Sequence, residues 1–181
     1  MDGRKRPRLF SFGRETELAN LDAWVEDGAQ RALLVEVIDA FIEITRTRKL
    51  AIENLAPIVS AAVHPSVNVR AIGVTRLVVL SHYFEEALQA FGGLVGHADP
   101  GVRLYACASL ANAPEEALPD LLGRFLVDPS WEVRKSAAQV CTSSKSDALL
   151  ALVEERLLVE RDARVRVVLE LATRFQRDQH P

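Results

Sequence analysis

The two-residue word Val-Arg returns along this chain at a nearly constant interval, and its flanks return with it. HPSVNVRAIGVTRLVVL begins at His64, HADPGVRLYACASLANA at His97, DPSWEVRKSAAQVCTSS at Asp128 and ERDARVRVVLELATRF at Glu160. The arginines are Arg70, Arg103, Arg134 and Arg166, spaced 33, 31 and 32 residues apart. A period in this range marks a repeat architecture, each copy being one supersecondary unit that buries its apolar sides only by stacking on neighbours. Three positions after each arginine stand Gly73, Ala106, Ala137 and Leu169, mostly small, as a helix needs where it approaches another closely. Six positions before stand His64, His97, Asp128 and Glu160, polar residues suited to ending one helix or capping the next.

Upstream of each turn lies a second apolar segment: AIENLAPIVSAAV, EEALQAFGGLVG, EEALPDLLGRFLV and DALLALVEERLLV. Their apolar residues follow helical spacing, with no strand alternation to compete. Each period therefore predicts a helix, a tight polar turn and a second helix. A fainter copy, ELANLDAWVEDGAQRALLVEVIDAFIEI, places Leu18, Leu21 and Trp24 on a first helix, Asp27-Gly28 at the turn and Arg31 in the repeat position. Arg31 precedes Arg70 by 39 residues, and the extra length is expected in TRTRKL, between the first two pairs.

The D-P-x-x-x-V-R-x-x-A-A pattern of Asp128 to Ala138, with its partial copies, resembles the HEAT-repeat family. The short period is most similar to the HEAT-like repeats of the bilin-lyase type, since the usual HEAT period is about 40 to 47 residues. The resemblance covers about residues 15 to 177, and the first copy departs from it, with Gln30 where valine is expected. It implies an all-α, right-handed α-solenoid of about five antiparallel helical pairs. It also implies a structural ladder, in which a turn acid and the arginine of the second helix tie adjacent repeats. The sequence offers Asp99, Asp128 and Asp162 near Arg103, Arg134 and Arg166, with Arg70 in the same series. Pro65, Pro100 and Pro129 read as turn and early-helix punctuation. The expected organisation is a basic arm over residues 1–14, one repeat domain over 15–177 and a short tail over 178–181.

Composition narrows the function. With 181 residues and 49% apolar content the chain can bury a core of its own. A net charge of −3 disfavours a dedicated binder of nucleic-acid backbone. Cys107 and Cys141 sit in apolar helical sequence and not in a CxxC pair, which suits a reducing compartment without a disulfide. No window resembles a signal peptide or a membrane span, so the expectation is a cytoplasmic protein without a membrane partner. The excess of arginine over lysine hints at a GC-rich bacterial source.

A catalytic constellation would break the repeat, and none does. The four histidines, His64, His82, His97 and His180, form no HExxH and no zinc-spaced set with cysteine, and the paired His-Glu motifs of HEAT-type hydroxylases are missing. Ser109 and Cys107 lack a nucleophile elbow, and Gly92-Gly93 with Gly96 lacks the lysine of a phosphate loop. No metal or cofactor is expected.

What remains is the surface of the second helices, the concave side in HEAT-like arrays. Helical periodicity leaves the positions one, two, five and nine residues after each arginine open. Across the repeats this face includes Ile72 and Thr75; Leu104, Tyr105 and Asn112; Lys135, Ser136, Gln139 and Ser143; then Val167, Val168 and Leu171. Its mixed character suits a peptide, helix or protein loop. The candidate partner-binding residues are Ile72, Thr75, Leu104, Tyr105, Asn112, Lys135 and Gln139, with Trp131, whose equivalents are Val67, Pro100 and Ala163, as an added contact or a packing wedge. The expected function is a non-enzymatic protein-binding module: an adaptor, scaffold or immunity-like regulatory partner. The alternatives are a bilin-lyase-like accessory enzyme and a HEAT-like DNA-lesion binder. GRKRPR reads as a solubilising tail, with Leu9, Phe10 and Phe12 folding back to cap the first pair.

Overall fold

The computed structural model describes residues 9–23, 25–142 and 146–178. Trp24, Ser143, His180, the tail from residue 179 and the basic arm up to Arg8 lie outside the described residues. Those described contain ten α-helices and no strand, the all-α architecture that the periodicity predicts. The helices are α1 (Arg14–Asp22), α2 (Gly28–Thr47), α3 (Ile52–Ala62), α4 (Val67–Ser81), α5 (Glu85–Gly93), α6 (Pro100–Ser109), α7 (Leu118–Leu126), α8 (Trp131–Val140), α9 (Asp147–Val159) and α10 (Ala163–Arg177). Short 3-10 turns at Leu94–Gly96, Leu110–Asn112 and Glu115–Ala117 extend helix ends. The chain forms two compact units, Met1–Phe91 and Gly92–Pro181.

In the first unit α1 packs on α2, α2 on both α3 and α4, and α3 on α4. Leu34, Ile44, Ile58, Leu77 and Leu80 are completely buried there, with Phe41 nearly so. The contact of α3 with α4 depends on Gly73. A Cβ at that position would collide with the backbone of Ala61 and Ala62. The extra length of the first copy takes a different form from the one expected. It does not make a longer linker: α2 runs on to Thr47, 20 residues in all, and ends where Arg48 adopts the left-handed conformation at φ 57°. TRTRKL contains good helix formers, and a helix continues until a residue leaves the αR region.

In the second unit α6, α8 and α10 lie side by side, while α7 packs on α8 and α9, and α9 on α10. The valine before each repeat arginine (Val69, Val102, Val133, Val165) is fully buried in its unit, as are Ala106, Ala137 and Leu169 three positions after. Each second helix opens on a polar N-cap. Asp27, Asp99 and Asp162 accept backbone N–H groups through their side chains, whereas Ser66 and Ser130 do not cap in that way. At those two turns the cap is replaced from two residues upstream: His64 Nδ1 accepts from Ser66 N at 3.0 Å and Asp128 Oδ1 from Ser130 N at 2.8 Å.

Candidate functional site

The repeat arginines share one arrangement. Each folds back over its own turn. Arg70 Nε donates to the His64 carbonyl at 3.0 Å, Arg103 Nη1 to that of His97 at 2.8 Å, Arg134 Nη1 to that of Asp128 at 2.8 Å and Arg166 Nη1 to that of Glu160 at 3.0 Å. Arg70 and Arg103 are buried, at 5% and 9% exposure. A guanidinium supplies several donors in a rigid fork, so one side chain can satisfy turn carbonyls and still hold a carboxylate.

The carboxylates are not all those expected. Arg103 takes Asp128 of the following turn in a bidentate pair of 2.7 and 3.0 Å, and Arg134 takes Glu160 at 2.8 and 3.1 Å. Asp99 and Asp162 stand four residues before Arg103 and Arg166 and cap their own helices, accepting from Gly101 N at 2.7 Å and Arg164 N at 2.9 Å. The reason is reach. An N-cap aspartate is held against its own first turn, whereas the residue two positions earlier stands at the start of the turn, where the previous repeat's arginine arrives. Asp128 and Glu160 thus accept a guanidinium with the side chain and another with the backbone carbonyl. A continuous hydrogen-bonded spine results, from Arg103 through Asp128, Arg134 and Glu160 to Arg166.

Glu160 is its most heavily loaded member. Its oxygens accept from Arg134, from Arg156 at 2.7 and 3.0 Å, and from the backbone N–H groups of Arg161 and Asp162. Burial opposes its ionisation, yet the bonds from Arg134, Asp162 N–H and Arg156 outweigh burial and hold its pKa down at about 2. Hydrogen bonding to Asp128 and Glu160 raises Arg103 and Arg134 above the ordinary arginine value. Arg156, four residues before Glu160 on α9, escapes a reading aligned on Val-Arg alone. The i, i+4 spacing was its only signal. Gln176 is another omission: completely buried on α10, it donates to the Cys141 carbonyl at 2.7 Å and accepts from Ser146 N at 3.2 Å.

Arg31, in the repeat position of the first copy, is exposed and pairs with Asp22 of α1 at 2.7 Å. Gln30 in place of the buried valine goes with this departure: the first pair is tied by other means. Arg76 of α4 donates through Nη2 to both Glu17 oxygens at 2.9 Å and stacks on the Phe41 ring at 4.2 Å, joining α1, α2 and α4.

Most of the second-helix residues chosen from the register keep open surface. Thr75, Asn112 and Gln139 are exposed, and Ile72, Leu104, Tyr105, Trp131 and Lys135 half-buried. Val167 and Leu171 of α10 are more than half exposed. Ser136, expected on the same face, is buried instead, on the turn of α8 whose Val133 carbonyl accepts from the Cys107 thiol at 3.7 Å. In the first unit the face opens into a pocket of about 410 Å³ between α1, α2 and α4, with Ile72, Thr75, Leu21, Leu34 and Ile38 among its walls and the Glu17–Arg76 pair beside them. Trp131 lies under the Arg164 guanidinium, 3.4 Å from its ring centroid, and Arg164 is held by Asp162 at 2.7 and 3.0 Å. That bond from Arg164 keeps the Asp162 carboxyl at about 2. Trp131 therefore links the first turns of α8 and α10.

His64 and His97 each use Nδ1 as an acceptor within their own turns, His97 from Asp99 N at 3.1 Å. Burial pushes both thiols, Cys107 and Cys141, up to about 12. Among the described residues no three His, Cys, Asp or Glu side chains are grouped as metal ligands, and no helix is long and apolar enough to cross a membrane.

The sequence model for HEAT repeats matches residues 88–173. No curated protein matches the chain. Among solved structures the chain is similar to an engineered protein at 17% identity, covering 92% of this chain and 80% of that one with a TM-score of 0.47.

Proposed function

We propose that this chain is a HEAT-repeat protein, a reading supported by the match of residues 88–173 to the sequence model for HEAT repeats, and that it is a non-enzymatic protein-binding module, an adaptor or scaffold subunit that takes a protein or peptide on the open side of its second helices. HEAT repeats generally mediate protein–protein interaction. The observation that carries the reading is the pocket beside α4. Ile72 and Thr75, placed on the open face by register alone, help to line a largely apolar cavity of about 410 Å³ with one ion pair at its edge. A cavity of that size accepts a bulky apolar anchor, and interface energy concentrates where such an anchor is desolvated inside a polar rim. In the second unit Leu104, Tyr105, Lys135 and Gln139 offer a mixed surface of the kind partner loops and helices use.

The test begins with affinity capture from the native cell extract and continues with the purified partner. Ile72→Asp places a charge at the pocket wall and Tyr105→Ala removes the central aromatic. Each should weaken binding by about tenfold or more, with the helical melting curve nearly unchanged. Full affinity in both variants would sink the reading.

A further inference from the structure

The pocket between α1, α2 and α4 has polar groups at its wall that the fold does not use. α1 brings Glu17 and Asn20 to it and α4 brings Thr75 and Arg76, while the rest of the lining is aliphatic. Arg76 spends only Nη2 on Glu17, donating to both carboxylate oxygens at 2.9 Å, and its Nε and Nη1 make no hydrogen bond among the described residues. No buried side-chain nitrogen or oxygen among the described residues lacks a partner, so these two nitrogens reach open space. The Asn20 amide and the Thr75 hydroxyl, both on exposed residues, have no partner among the described residues either. A hydroxyl inside a helix commonly returns to a carbonyl one turn back, as Thr173 does to Leu169 at 2.9 Å and Ser109 to Tyr105 at 2.9 Å. Thr75 does not.

Charge at the pocket is already balanced. The Glu17 and Arg76 side chains are 12% and 21% exposed, and each answers the other. A further ion brought here would leave water without an opposite charge to receive it. What the wall still offers is hydrogen bonds: donors from Arg76, a donor and an acceptor from Asn20, and either from Thr75. Peptide backbone matches that set, because every non-proline residue carries one donor and one acceptor. A helix has spent those groups on itself. An extended segment presents them and must find partners for them.

We propose that the pocket binds an extended, uncharged segment of a partner protein, with one bulky apolar side chain in the cavity and the flanking backbone hydrogen-bonded to Asn20 of α1 and to Thr75 and Arg76 of α4. The inference rests on the reading of the chain as a protein-binding module and adds the form of its ligand. The cavity of about 410 Å³ accommodates such a side chain with part of its own backbone.

Selection from a phage-displayed library of random linear heptapeptides, on the full chain and in parallel on Ile72→Asp, tests the site. Peptides enriched on the native chain alone should share one leucine, isoleucine, methionine or phenylalanine between uncharged neighbours. The leading sequence, made as an acetylated, amidated fluorescent peptide, is then titrated by fluorescence polarisation. Asn20→Ala/Thr75→Ala strips two of the rim groups. Arg76→Lys keeps a cation for Glu17 and removes the spare guanidinium donors. Each should weaken the peptide about fivefold or more, and locking the same sequence into a helix with a lactam bridge should weaken it about tenfold or more. Circular dichroism melts confirm that the variants are folded; should Arg76→Lys fail to fold, the Asn20/Thr75 variant decides. The proposal is overturned if no sequence is enriched over Ile72→Asp, if the shared position is charged, if the helical form binds as well as the linear one, or if the folded rim variants keep full affinity. A protein partner weakened by Ile72→Asp but indifferent to the rim variants leaves the binding-module reading in place and overturns this one.

Discussion

Arg134 and Glu160 meet in two hydrogen bonds of 2.8 and 3.1 Å across consecutive turns, and the carboxylate is almost wholly enclosed while it does so. Removing the anion leaves Arg134 and Arg156 facing each other without it. Glu160→Gln is therefore expected to destabilise the protein by about 3 kcal/mol, the cost of breaking a buried pair from one side. Arg134→Lys keeps the charge but loses the fork that reaches both the carboxylate and the turn carbonyl, and should fall between the native chain and Glu160→Gln. Urea denaturation followed by circular dichroism measures both.

The same carboxylate gives the protein an acid sensitivity of definite sign. Folding lowers its pKa from 4.5 to about 2, so its contribution is fully present above pH 5 and is lost as pH falls toward 2. The shift corresponds to about 3 kcal/mol. Stability measured between pH 6 and about pH 2 should decline more steeply for the native chain than for Glu160→Gln; parallel curves would remove Glu160 from this role.

Two glycines should respond in opposite directions. Gly73→Ala drives a methyl into the Ala61–Ala62 backbone and should cost about 3 kcal/mol, since the neighbour is main chain and cannot turn aside. Gly28→Ala meets nothing within 4 Å at the first position of α2, and should be neutral or stabilising by about 0.5 kcal/mol. Thermal melts of the two variants decide it.

Trp131→Ala should lower stability by about 1 kcal/mol through loss of the Arg164 stack. A double-mutant cycle with Arg164→Ala isolates the coupling. A coupling near zero would assign Trp131 to partner contact alone.

Cys107 and Cys141 should resist thiol reagents in the folded protein. Their thiols are fully buried and pushed up to about 12, so thiolate is scarce at neutral pH. Ellman's reagent should titrate both only after denaturation; fast reaction of either in the native state would contradict this environment.

The helical pairs were legible because Val69, Val102, Val133 and Val165 recur in phase with small residues that bury against a neighbour, and periodicity carries that information directly. The spine's rungs were legible only in part. Asp99 and Asp162 lie nearer their arginines in sequence than Asp128 and Glu160 do, yet which acid meets which guanidinium depends on the stacking of consecutive turns. The extra residues were placed between the pairs, in TRTRKL, where the structure continues α2 through Thr47, because such a segment can continue a helix as readily as interrupt one. Leu9 is buried, its carbonyl accepting from Arg48, while Phe10 and Phe12 are exposed, so the fold-back expected of all three involves one of them. Alternation along an irregular segment follows from what fastens it. The pocket required the meeting of α1 with α4 through Glu17 and Arg76, a contact 59 residues apart, which no repeat alignment signals.

The spine also shapes how the second unit comes apart. Asp128 and Glu160 each bind one arginine by side chain and the next by main chain, so no turn between Arg103 and Arg166 can open without releasing a bond that belongs to the turn beside it. Arrays whose units touch only through apolar faces can fray from an end, one unit after another. Here amide hydrogens of α6, α8 and α10 should exchange with similar protection, because losing the last rung weakens the one before it, and the sub-global opening of this segment becomes a single event.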